Sequence, residues 1–91
     1  MRDSNNTQYF KVINESENRV TNTLIDVYQA LIHKGYDPVN QMVGYIMSGD
    51  PTYITGYNNS RSKIAQINRD DIVEELVRAF VEYHRLNDKE Q

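Results

Sequence analysis

The chain has 91 residues, a formal net charge of −3, 25% charged residues and no cysteine. A single domain of this length hides only about 60–65% of the surface its unfolded form exposes, so its core is thin and a partner subunit would help it. The missing cysteines exclude disulfides, thiolate nucleophiles and Cys-based zinc sites, and the acidic balance gives no general attraction to phosphate backbones or anionic lipid.

No apolar run approaches the ~20 residues of a membrane span, and no charged-then-apolar leader opens the chain. The expectation is a cytoplasmic protein with no membrane insertion. Residues 1–15 are polar and asparagine-rich around one apolar island, Tyr9-Phe10 with Val12-Ile13. They read as a flexible N-terminal regulatory tail whose island can dock.

From Ser16 the pattern changes. Val20, Leu24, Val27, Tyr28, Leu31 and Ile32 recur at three- and four-residue steps, and Gly35 stands at the stop, which predicts a first long helix. Adding Ile25 widens its apolar arc to about 160°, more than the ~100° that faces one core.

"GYDPVNQMVGYIMSGDP" at 35–51 then holds three of the four glycines and both prolines. Gly35 suits the left-handed end of the first helix, Asp37 a cap, and Pro38 the first position of a second helix running to Ser48. Val39, Met42, Val43, Tyr45, Ile46 and Met47 leave it only a narrow polar strip, which predicts a central helix. Gly44, costing about 1 kcal/mol against alanine in mid-helix, predicts the close approach of a neighbouring helix. Gly49 ends the segment, and Asp50-Pro51 launches a single turn over Thr52–Ile54.

"TGYNNS" reads as a loop, with Asn59 or Ser60 capping a short helix over Arg61–Ile67 that turns Ile64, Ala65 and Ile67 inward. Asn68 caps the last helix. Asp70, Asp71, Glu74 and Glu75 near its start and Arg78, His84 and Arg85 near its end match the macrodipole. Its apolar positions cover more than half of an ideal wheel, and residues 86–91 should fray. The predicted fold is therefore all-α: a compact bundle of about five helices, two long and three short, over 16–85. Two wide apolar arcs on so small a domain predict a homodimer.

Little in the chain assembles an active site. His33 and His84 lie on separate helices without a carboxylate at ligand spacing, so no metal, cofactor or catalytic residue is expected. The paired carboxylates at 70–71 and 74–75 read as a solvated first turn rather than an acid–base pair. Two features remain. Ser4 and Thr7 are hydroxyls in a polar tail where a phosphate would add about −1.5 to −2 charges. Arg61, Lys63 and Arg69 form a basic set beside the 55–60 loop, able to receive a phosphorylated tail or an acidic partner. The rival reading is a small helical nucleic-acid-binding module with those arginines on phosphates, which the net charge disfavours.

"GYDPVNQMVGYIMSGDPTYI", followed by "NNSRSKI" and "RDDIVEELVRAF", resembles the IreB/ReoM family of small cytosolic proteins of Gram-positive bacteria. The likeness runs from about Thr21 to Phe80. It implies a helical homodimer without enzymatic activity, phosphorylated by a PASTA-domain Ser/Thr kinase and dephosphorylated by a PP2C-type phosphatase. The family's phosphorylated threonine falls on Thr7, and a second site of some members falls on Ser4. Unphosphorylated members promote ClpCP-dependent degradation of MurA and so restrain peptidoglycan synthesis, with consequences for cephalosporin tolerance. The family's regulatory arginines carry over at Arg61 and Arg69. Two further positions, usually basic in the family, are Gly56 and Ala65 here.

Overall fold

Helix α1 (Ser4–His33) is the longest element of the computed structural model, which describes residues 4–87, with side chains from Asn18 onward. Thirty residues at 1.5 Å each give about 45 Å, and they set the 50 Å long axis of the molecule. The expected start near Ser16 is thus corrected to Ser4. No glycine or proline occurs before Gly35, so nothing in residues 4–16 compels a break. Gly35, at φ 85°, then ends the helix. Its N–H reaches the Ile32 carbonyl at 3.0 Å and the Tyr36 N–H reaches that of Leu31 at 2.9 Å, the paired closure that a left-handed residue permits.

The signals around the second helix act as the sequence implies. Asp37 accepts from the Asn40 N–H at 3.2 Å, and Pro38 opens α2 (Pro38–Ser48). Gly49, at φ 75°, closes it. Asp50 repeats the cap on Thr52 and starts a 3-10 turn over Pro51–Tyr53. A second 3-10 turn, Tyr57–Asn59, lies within the expected loop, with Asn58 and Asn59 both in the left-handed region. It leads into α3 (Ser60–Ala65), and after a short link comes α4 (Arg69–Tyr83). Asn68 occupies the N-cap of α4 in extended geometry, but its side chain makes no capping bond. Among the described residues the fold is therefore all-helical: four α-helices, two 3-10 turns within the chain and further 3-10 geometry at Leu86 and Asn87, with no strand.

The core lies where all four helices meet. Leu24, Val27 and Leu31 of α1, Tyr45 of α2, Ile54, Ile64 of α3, Ile67 and Ile72 of α4 form one buried cluster, edged by Val20, Met42 and Ile46. Two expectations are corrected. Helix α2 is not enclosed: only Tyr45 is buried, while Val39, Val43 and Met47 are 63%, 51% and 78% exposed. Ala65 faces solvent, because α3 turns only Ile64 and the following Ile67 toward the core.

The approach at Gly44 comes from a ring rather than a helix. A Cβ built there would fall 2.6 Å from Cδ1 of Tyr53, whose carbonyl accepts from Gln41 Nε2 at 2.9 Å. The 3-10 turn is thereby laid flat on α2. His33 stacks on Tyr57, with ring centroids 4.6 Å apart and planes within 17°, tying the second 3-10 turn to the end of α1.

Candidate docking surface

The basic residues Arg61, Lys63 and Arg69 each hold a neighbouring element. Arg61, in the first turn of α3, donates through Nε to the Ile54 carbonyl at 2.8 Å. Arg69, first in α4, donates through Nη1 to the Ile46 carbonyl at 2.8 Å, so its charge sits against the negative C-terminal end of α2. Lys63 pairs with Asp26 of α1, Nζ to Oδ2 3.3 Å, with both side chains more than a third exposed. Each cation thus serves as a strut while remaining in contact with water. Ser4 and Thr7 belong to the first two turns of α1, and their side chains lie outside the described residues.

In sequence Gly56 precedes this basic set and Ala65 lies within it. Gly56 has φ −77° and nothing within 4 Å of the point where a Cβ would stand, and Ala65 is exposed, so the backbone would admit a longer side chain at either. The two histidines are engaged with aromatic rings: His33 with Tyr57, and His84 with Phe80 and Tyr83. Among the described residues no group of three or more His, Cys, Asp or Glu could hold a metal ion.

A second feature is apolar. Between α1, α2 and α4 runs a groove of about 280 Å³, walled by Leu24, Ile25 and Tyr28, by Met42, and by Leu76 and Ala79. At its edge Thr21 Oγ1 donates to Glu75 Oε2 at 2.8 Å, fixing α4 against α1. The wide arcs of α1 and α4 point to two of its walls. Met42, the third, carries no such signal, because a helix read as central gives no reason to expect an open side. Val73, Val77, Phe80 and Tyr83 extend the exposed apolar surface along α4. Such an arrangement suits contact with another protein chain, since apolar helix faces left open to water gain most from being covered.

The family model described as IreB regulatory phosphoprotein matches residues 5–82, most of the chain. The chain belongs to the IreB family. Similar IreB-family relatives are named UPF0297 proteins. One from Ruminiclostridium cellulolyticum is 54% identical over 80 residues, covering 88% of this chain and 91% of the relative. One from Lachnoclostridium phytofermentans is 54% identical over 84 residues, 92% and 96% of the two chains. A third, from Acetivibrio thermocellus, is 48% identical over 79 residues, 87% and 88%. The IreB match takes in the basic struts, the groove and Thr7, though not Ser4. No helix among the described residues is long and apolar enough to cross a membrane.

Proposed function

We propose that this IreB-family chain is a non-enzymatic, homodimeric regulator in the cytoplasm, switched by phosphorylation of Thr7 and, secondarily, Ser4. A PASTA-domain Ser/Thr kinase adds the phosphate and a PP2C-type phosphatase removes it. In the unphosphorylated state the chain promotes degradation of MurA by ClpCP, which lowers peptidoglycan synthesis and with it cephalosporin tolerance. The observation that carries the reading is membership of a family of regulatory phosphoproteins along 5–82, a span that includes Thr7. The exposed apolar faces of α1, α2 and α4 support the dimer, because a thin core gains stability from burial against a second copy.

Arg61, Lys63 and Arg69 present the charge that an acidic partner surface, or the phosphorylated N-terminal segment, would meet. A charge-assisted contact of about 1.5–3 kcal/mol changes affinity roughly tenfold or more, enough for a switch. The test is incubation of the purified chain with a PASTA-kinase catalytic domain and ATP, followed by phosphosite mapping by mass spectrometry. Phosphate on Thr7, absent from the Thr7→Ala protein, is the expected result. A Thr7→Ala protein phosphorylated and regulated like wild type overturns the reading.

A further inference from the structure

Helix α3 starts differently from α2. Asp37 stands in extended geometry before α2 and accepts from the Asn40 N–H, whereas Asn59, in the equivalent place before α3, is left-handed at φ 61° and makes no capping bond. Asn58 is left-handed as well, at φ 56°. Asparagine visits that region more readily than most residues with a side chain, but ordinarily one residue at a time. The next residue, Ser60, is fully buried, and its hydroxyl finds no hydrogen-bond partner among the described residues. Three successive residues thus depart from the arrangement their chemistry favours.

Few contacts hold them there. Tyr57 stacks on His33, with the Lys34 ammonium 5.6 Å from its ring centroid, yet the residue remains 42% exposed. The Asn59 N–H reaches the Gly56 carbonyl at 3.1 Å and the Ser60 N–H that of Tyr57, both bonds inside the turn itself. Firm points bound the segment: Ile54 is buried before it, and after it Arg61 Nε holds the Ile54 carbonyl at 2.8 Å. Gly56, with open space around it, stands at the near end as a hinge. Between the segment and α1 lies a cavity of about 190 Å³, walled by Asp26, Gln29, Ala30 and His33 on the helix side and by Tyr57 and Asn58 on the other.

We propose that residues 57–60 are a lid over that cavity, closed in this structure and able to swing away from α1 about Gly56. In the open form Tyr57 leaves His33 and the Ser60 hydroxyl reaches water. Asn59 turns to extended geometry and caps α3 on the Ser62 N–H, three residues on, as Asp37 caps α2 on Asn40. The stacked rings favour the closed form, while the relaxed backbone, the solvated hydroxyl and the new cap favour the open one. These opposed terms keep the open form a minority of about 0.1–10%. Opening uncovers the α1 side of the cavity beside the Lys63–Asp26 pair, while Arg61 keeps α3 in place.

Relaxation dispersion on the full-length chain labelled with nitrogen-15 reads such minor states on the microsecond-to-millisecond timescale. Amides of residues 57–62 should share one exchange process that the core amides of Val27 and Leu31 lack. Tyr57→Ala removes the stack and should raise the open fraction at least fivefold, moving the Asn59, Ser60 and Ser62 amide shifts toward the minor-state shifts of wild type. Ser60→Ala removes the unpartnered hydroxyl and should lower the open fraction at least fivefold. Flat dispersion profiles across 57–62 overturn the lid, and so does a Ser60→Ala chain whose open fraction equals that of wild type. Either result leaves Thr7 phosphorylation and the dimer standing.

Discussion

Arg69 lies across Gly49, its guanidinium carbon 2.8 Å from where a Cβ on that glycine would stand, while its Nη1 donates to the Ile46 carbonyl. One side chain at the start of α4 thereby closes the end of α2. The glycine is required twice over, for its left-handed φ of 75° and for the space above it.

Gly49→Ala should therefore destabilise the fold by about 1–2 kcal/mol from backbone conformation alone, and more if Arg69 is displaced. For a domain of this size 1 kcal/mol moves Tm by about 4–8 °C. Arg69→Gln, which loses the charge at the exposed helix end, should cost about 1 kcal/mol or less. Thermal unfolding followed by circular dichroism gives both values. An unchanged Tm for Gly49→Ala would contradict the close packing. Any loss of regulation in an Arg69 variant should be compared at matched folded fraction, since this arginine also supports the fold.

Gly44 and Tyr53 should be energetically coupled. Alanine gains about 1 kcal/mol over glycine in a helix interior, but at Gly44 its methyl meets the Tyr53 ring, and overpacking costs about 1–3 kcal/mol. Gly44→Ala should be net destabilising in wild type and stabilising in the Tyr53→Ala background. A double-mutant cycle by urea unfolding reads the sign reversal. Additive effects would show that the ring moves aside freely.

Asp50 links the first 3-10 turn to pH. Its carboxyl lies below the ordinary value because the ionised form accepts first from the Thr52 N–H and then from the Thr52 hydroxyl. A depressed folded value contributes stability that is present above the ordinary carboxylate range and lost as pH falls through the folded value. The Thr52 amide signal should move with the Asp50 carboxyl carbon below the ordinary aspartate range, and Asp50→Asn should abolish that titration. A Thr52 amide insensitive to acid would show that the cap does not hold in solution.

The turn chemistry was legible because it is local: Asp37-Pro38, Gly35, Gly49 and Asp50-Pro51 each act on neighbours within a few residues, and all six take the expected role. What lay hidden depends on distance in sequence. The ring over Gly44 comes from nine residues away, and Arg69 reaches back 23 residues to Ile46, which no periodicity encodes. The openness of α2 was hidden for another reason. An apolar residue that faces a core and one that faces a partner look alike in a sequence, so Val39, Val43 and Met47 read as interior. Helix α1 runs longer than expected since polar composition alone does not stop a helix.

The two positions that depart from the resemblance provide the last test. Gly56 has ordinary right-handed geometry with open space around it, and Ala65 is exposed at the end of α3. Gly56→Arg and Ala65→Arg should both fold normally. The first should gain about 0.4–1 kcal/mol, because replacing glycine lowers the entropy of the unfolded chain where the native backbone already suits a side chain. The second should shift Tm by no more than a few degrees, as surface changes away from special contacts usually do. Together they add two positive charges beside Arg61 and Lys63. If that surface meets an acidic partner, the doubly substituted chain should bind it more tightly and with steeper salt dependence than wild type. Equal affinity at low and high ionic strength would place the partner on the apolar faces instead.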